Sequence, residues 1–400
     1  MKHPRIYIAL PILNEFENLP SLFECLKNQS HKEFELVVCV NQYDSWWENK
    51  DKYTHCLDNQ ESIQYLNARN DFEITLIDRS SKGKGWPEKR GGVGWARKTA
   101  MDYINHIADR NDYIVSIDAD TYYPTEYLQS IINTFHNNAE ITGISLPYYH
   151  RLTGGETDAL ILRYEIYMRN YLLNMLRIEN PYAFTALGSA MAATIWAYRK
   201  IGGITPVKSG EDFYFLQKLV KTGKLGIWTD TIAYPSPRFS DRVLFGTGPA
   251  LIKGNNGDWN SYPLYESELF ELVNNTYEKF SELFENDIPT PMDEFLTKQF
   301  NSHDIWTTLR ANYKDRENFI KACKTKVDGL RILQFLKQKT SNNLVSPGKN
   351  DQEFKSILLK LFSDFKLDKK ESFKSNLIQT RDYLFQKELI QRKKIRTVGI

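Results

Sequence analysis

Four short apolar runs, residues 5–10, 34–40, 73–77 and 113–117, each stop at a polar turn. Helical spacing returns after the first run, at Leu19, Leu22, Phe23 and Leu26, and before the fourth, over residues 93–108. Strands alternating with helices of this length predict an α/β chain built on a doubly wound, mostly parallel sheet. Ligands of such sheets bind beyond the carboxyl ends of the strands. Chemistry is therefore expected just past each run.

The fourth run points most directly at chemistry. Asn111 to Pro124 is an apolar strand that runs into Asp118-Ala-Asp120 and is stopped by Pro124. Residues two apart in extended chain project to the same side, so the two carboxylates can share one hard divalent cation and, through it, nucleotide phosphates. The plain alternative is a turn, since Asp, Thr and Pro gather wherever strands end.

Other stretches carry a similar ambiguity. Residues 42–70 read as a polar, aromatic insertion with a short helix, and residues 80–94 as a Gly- and Lys-rich loop. A long aromatic helix is expected over residues 158–177. Residues 186–193 are small-residue backbone that suits either close approach to a ligand or tight core packing. Lys208-Ser-Gly-Glu-Asp212 opens a helix, with Ser209 as candidate cap and Glu211 and Asp212 complementing its positive end. A helix terminus explains those acids as well as catalysis does. Tyr234-Pro-Ser-Pro-Arg238 and the following Arg242 lie in a Pro/Gly segment. Its arginines fit either a phosphate clamp or a solvated loop.

From residue 260 the composition shifts to charged amphipathic helices, including an apolar stripe of Leu269, Val273, Tyr277, Phe280 and Phe284. Further helices are expected over residues 314–339 and 353–365 and near the C-terminus. The expected organisation is a catalytic domain over residues 1–259 and an all-helical C-terminal region over 260–400. A net charge of +2 makes no electrostatic case for nucleic acid as partner. Four cysteines without zinc spacing suit a reducing compartment. No run is long enough for a membrane span, so a cytoplasmic protein is expected, with peripheral membrane contact open. The basic run Gln391-Arg-Lys-Lys-Ile-Arg396 reads as a solvated tail, or more weakly as a site for anionic lipid or a phosphate-bearing acceptor.

Taken in order, Pro11-x-x-Asn-Glu15, the loop leading to Gly94-Trp-Ala-Arg97, the Asp-x-Asp stretch and Gly-Glu-Asp212 resemble the inverting GT-A glycosyltransferases of family two, over residues 5–242. The resemblance implies a GT-A-like sheet and a nucleoside-diphosphate sugar donor, with uridine favoured. It also implies a divalent cation, Mn2+ or Mg2+, and a hydroxyl acceptor, saccharide or lipid-linked. It implies further that Pro11, Asn14 and Glu15, with Asn41 and Asp78, shape the nucleoside pocket, and that Arg97 lies toward the diphosphate. Asp120 would hold the metal with Asp118 in support, and Asp212, beside Glu211, would be the general base. Many members carry Asp-Asp after the second strand, where this chain has Val40-Asn-Gln-Tyr-Asp44, and no histidine occurs between Gly203 and Asn301. His150 is the nearest histidine before that interval. The processive members' Gln-x-x-Arg-Trp signature is missing too. The alternative reading is a scaffold of the same fold that has lost turnover and acts as an assembly partner.

Overall fold

The computed structural model describes residues 4–240, 246–342, 351–362 and 371–400. The chain forms two compact units. The first comprises Met1–Ile161, Phe184–Ile252 and Arg392–Thr397; the second comprises Leu162–Ala183, Lys253–Gln391 and Val398–Ile400.

Strands β1 (Ile6–Ile12), β2 (Phe34–Asn41), β3 (Glu73–Arg79), β4 (Tyr113–Ser116), β5 (Ile141–Ser145), β6 (Met191–Thr194), β7 (Lys224–Gly226) and β8 (Thr397–Val398) form one sheet. Its order is β3-β2-β1-β4-β6-β5-β7-β8. Every side chain of β1 and β2 is buried, as expected of parallel strands covered on both faces, whereas β3 at the edge is only partly covered. Parallel registers Ile6↔Phe34, Ile6↔Tyr113 and Glu35↔Glu73 bring the carboxyl ends of β3, β2, β1 and β4 to one edge. The doubly wound, mostly parallel sheet is thus the observed one.

Helices α1 (Leu19–Lys27), α2 (Tyr53–Asn67), α3 (Val93–Ile107), α4 (Tyr127–Asn137), α5 (Thr157–Arg177), α6 (Ile195–Lys200) and α7 (Glu211–Thr222) connect the strands. Helix α1 buries Leu19, Leu22, Phe23 and Leu26, the i, i+3, i+4, i+7 stripe seen in the sequence.

Three local expectations are corrected. The segment 186–193 leads into β6, which runs antiparallel between β4 and β5 with Ser116↔Met191 and Ser145↔Met191 as partners. Its four residues are too short and small to signal a strand by themselves. The cap of α7 is Gly210, in the left-handed region at φ 80°, and not Ser209. The basic run near the C-terminus is solvated at Lys393, Lys394 and Arg396 but not at Arg392. Arg392 is fully buried in the first unit, donating to the carbonyls of Ser145 (3.0 Å) and Ile227 (2.9 Å) and to Thr185 Oγ1 (3.1 Å).

The C-terminal region is helical, as expected: α8 (Thr247–Asn255), α9 (Ser267–Glu278), α10 (Asp293–Phe300), α11 (Ile305–Asn312), α12 (Arg316–Lys326), α13 (Gly329–Asn342), α14 (Asp351–Leu361) and α15 (Phe373–Ile395). The helices expected over 314–339 are α12 and α13. Within the second unit, Phe270, Val273, Phe280, Leu283, Leu296, Phe319 and Phe335 are buried. So is a balanced charge network, in which Arg169 pairs with Glu165 (3.2 Å) and Glu388, and Arg381 with Glu165 (2.9 Å). Buried ions of this kind are tolerated only when each finds its counter-ion. No helix among the described residues is long and apolar enough to cross a membrane.

Candidate functional site

The site is organised around a cation. Arg97 projects from the first turns of α3, which can approach the segment before α7 so closely because residue 94 is glycine. A Cβ there would lie 2.1 Å from the carbonyl oxygen of Val207. The guanidinium is 2% exposed. Its Nε donates to Glu211 Oε1 (3.1 Å), Nη2 to Asp118 Oδ1 (3.0 Å), and Nη1 to Ser116 Oγ and the Gly188 carbonyl (3.1 Å). Ser116 Oγ also donates to the Gly188 carbonyl, at 2.6 Å. Gly188 makes room for this: a Cβ would stand 2.3 Å from Arg97 Nη2. The close approach expected near residues 186–193 is therefore made to a buried guanidinium. Arg97 itself, expected toward the diphosphate, is committed to the two carboxylates instead.

Glu211 and Asp212 occupy the first turn of α7, whose exposed backbone N–H groups favour negative charge. Glu211 is 3% exposed. Burial drives its pKa above the ordinary carboxyl range; Arg97 opposes the rise and the charge of Asp212 adds to it. Burial also raises Asp212, again against Arg97. Asp212 Oδ1 accepts the N–H of Phe213 at 2.8 Å.

A second cluster lies across Asp118-Ala-Asp120. Arg238 Nε donates to Asp120 Oδ2 (2.6 Å) while Nη2 pairs with Glu15. Glu15 follows β1 in a loop that α2 shapes. Asn14 sits in the left-handed region at φ 54°, and its N–H donates to Asn59 Oδ1 (2.9 Å); the Phe16 N–H donates to Asp58 Oδ1 (3.2 Å). Helix α2 lies in the stretch expected to be an insertion. Pro11 is buried within β1, opposite Cys39.

Two further expected residues sit apart from these clusters. Asn41, at the end of β2, donates through Nδ2 to the Ile12 carbonyl (2.8 Å). Its Oδ1 is buried without a hydrogen-bond partner. Asp78, near the end of β3, accepts the N–H groups of Ser80 (3.0 Å) and Ser81 (2.9 Å) and pairs with Lys84 (3.0 Å). Burial pushes its pKa up, but these bonds outweigh it and hold the carboxyl down at about 2. Arg242 lies outside the described residues. His150 is buried and packs edge-on against Tyr148.

No group of three or more His, Cys, Asp or Glu side chains placed to hold a metal ion occurs among the described residues. Asp118 and Asp120 nevertheless supply two hard oxygen donors. That set fits a Mg2+- or Mn2+-type ion completing its shell from phosphates and water. Sequence reasoning missed Ser116, Asp58 and Asn59. The only trace of Ser116 is a hydroxyl interrupting an apolar strand, and the other two were legible only as part of a polar helix.

Residues 7–192 match the family model described as Glycosyl transferase family 2. No curated protein matches the chain. Among solved structures, S. aureus TarS 1–349 in complex with UDP-GlcNAc is similar at 14% identity and a TM-score of 0.42, over 98% of this chain and 91% of that one. The mannosyltransferase PcManGT from Pyrobaculum calidifontis, in complex with GDP-Man and Mn2+, is similar at 12% identity and a TM-score of 0.41, over 96% and 88%.

Proposed function

We propose that this chain is an inverting, metal-dependent glycosyltransferase that moves a sugar from a nucleoside diphosphate to an acceptor hydroxyl. The observation that carries the reading is the Arg97 junction. One buried guanidinium ties Asp118, on the donor side, to Glu211, in the turn that holds the candidate base. A structural helix cap has no need of that link.

In this reading Asp212 takes the acceptor proton. Its Oδ2 is the oxygen left over by the Phe213 N–H. The acceptor oxygen then bonds to the anomeric carbon as the bond from that carbon to the phosphate oxygen breaks on the opposite face. The proton stays on Asp212 and the electron pair leaves with the diphosphate, so one displacement inverts the centre. Burial and the charge of Asp118 raise the proton affinity of Asp212, which suits a base. Arg97 keeps the two carboxylates apart in fixed positions. When held by Asp120 with Asp118 beside it, a divalent cation supplies stabilisation for charge on the departing phosphate. Asp120 becomes available as its ion pair with Arg238 opens, and the released guanidinium fork then suits the diphosphate. The family resemblance favours a uridine nucleotide.

The test is Asp212→Asn. The variant is expected to bind nucleoside diphosphate and Mn2+ like the wild type, measured by calorimetry. Its sugar transfer is expected to fall by at least about 10²-fold, the lower end of general-base contributions. Normal transfer by the variant would remove Asp212 as base.

A further inference from the structure

Beyond the two carboxylate clusters, the first unit holds an exposed arginine seated in the angle between two tyrosine rings. The Cζ of Arg151 lies 4.2 Å from the ring centroid of Tyr122 and 4.2 Å from that of Tyr234. Tyr122 is 43% exposed. Among the described residues Arg151 makes no hydrogen bond and no ion pair, so its five N–H donors are unspent there.

The frame around it is rigid. Tyr122 and Tyr234 exchange backbone hydrogen bonds of 3.0 and 3.1 Å, Tyr149 N–H donates to the Ala233 carbonyl (2.9 Å), and Ala233 N–H to that of Pro147 (3.0 Å). Tyr149 packs edge-on against Tyr234, with centroids 6.3 Å apart. The segments following β4, β5 and β7 are thus laced together around one guanidinium. The two ring contacts hold the guanidinium in place before any ligand arrives, which lowers the ordering cost of binding.

Its place in the sheet indicates which substrate it meets. Tyr122 is two residues beyond Asp120, within about 7 Å along the chain, and Tyr234 is four before Arg238, which grips Asp120. Asn41 and Asp78 end β2 and β3, on one side of β4; Pro147 to Arg151 follow β5, on the other. Strand β5 runs in the same direction as β4, since both are antiparallel to β6, so its carboxyl end faces the same edge. A nucleoside on the β2–β3 side leaves the β5 side to the acceptor.

Building on the transferase reading, we propose that Arg151, between Tyr122 and Tyr234, is an oxyanion subsite that takes a phosphate on the acceptor. The guanidinium edge matches two phosphate oxygens. The exposed ring of Tyr122 offers a flat surface to the sugar or polyol that bears the phosphate.

The test uses the full chain, with glucose 6-phosphate as probe, glucose as its uncharged control and uridine diphosphate with Mn2+ as donor probe. Each is titrated calorimetrically at fixed ionic strength into the wild type, Arg151→Leu and Arg151→Lys. Glucose 6-phosphate is expected to bind the wild type at least tenfold more tightly than glucose. That preference should vanish in Arg151→Leu and return only in part in Arg151→Lys, which restores charge without the planar fork. Nucleotide affinity should stay within twofold throughout. Equal binding of glucose 6-phosphate by wild type and Arg151→Leu, or no preference over glucose, would make Arg151 an ordinary solvated side chain. A matching loss of nucleotide affinity would assign the anion to the donor diphosphate and overturn the acceptor assignment. If the wild type binds no uridine, guanosine, thymidine or cytidine diphosphate yet keeps Arg151-dependent binding of glucose 6-phosphate, the transferase reading fails and the oxyanion subsite stands.

Discussion

Arg97 shows how much of a site one buried charge can organise. Desolvation opposes its charge, and Asp118, Glu211 and Asp212 outweigh that opposition. Because the cavity around it is filled, Gly188→Ala is expected to push the guanidinium off its partners. The cost should be about 1–3 kcal/mol of stability, as for overpacked cores, with a parallel loss of transfer; urea denaturation and initial rates would read both. The pH dependence follows from the raised carboxyls. A carboxyl whose pKa is raised on folding contributes stability that is whole below its unfolded pKa and is lost as pH rises through the folded value. Transfer that needs ionised Asp212 has the opposite slope, rising with pH through the same window. Glu211→Gln leaves in place the burial and the Asp118 charge that raise Asp212, so the acid limb of kcat/KM should keep its position. A limb moved to lower pH would show that Asp212 senses the charge of Glu211.

At the scale of elements, α2 matters more than its polar sequence suggests. It buries Cys56, Asn59, Ser62 and Leu66, and two of its side chains hold the loop that carries Glu15. Asn59 also donates to Gln42 Oε1 at 2.8 Å, which fixes which end of its amide faces Asn14. Asn59→Ala leaves the Asn14 N–H without its acceptor. The expected cost is about 1–3 kcal/mol of stability, with weaker nucleotide binding, measured by denaturation and calorimetry. Asn59→Asp keeps the acceptor and should recover part of the binding. The sheet strands were readable because β1 and β2 are buried on both faces and therefore apolar at every position but Glu35 and Asn41. Strand β6 was not, because Met-Ala-Ala-Thr becomes a strand only through its partners in β4 and β5.

For the whole molecule, the most informative contact is the return of the C-terminus to the first unit. Arg392 satisfies three acceptors contributed by Ser145, Thr185 and Ile227, and the Ile227 N–H donates to the Arg396 carbonyl at 2.8 Å. Arg392→Met should strand those acceptors and cost about 3 kcal/mol or more, visible as a lowered urea midpoint. A change within about 0.5 kcal/mol would restore the solvated-tail reading.

What the amino-acid sequence determined by itself was local. Apolar runs and helical spacing specified the parallel strands and their helices, and the order of four short motifs carried a family resemblance. Partnership was decided only by the tertiary structure. Arg97 meets Glu211 across 114 residues, Arg238 meets Glu15 across 223, and Arg392 meets Ser145 across 247. Periodicity reports which face of an element is buried, but a charged side chain must find whatever counter-charge the fold brings within reach. Arg97, read from sequence as a phosphate ligand, became the pin between two carboxylates because the carboxyl end of β4 and the start of α7 converge on it.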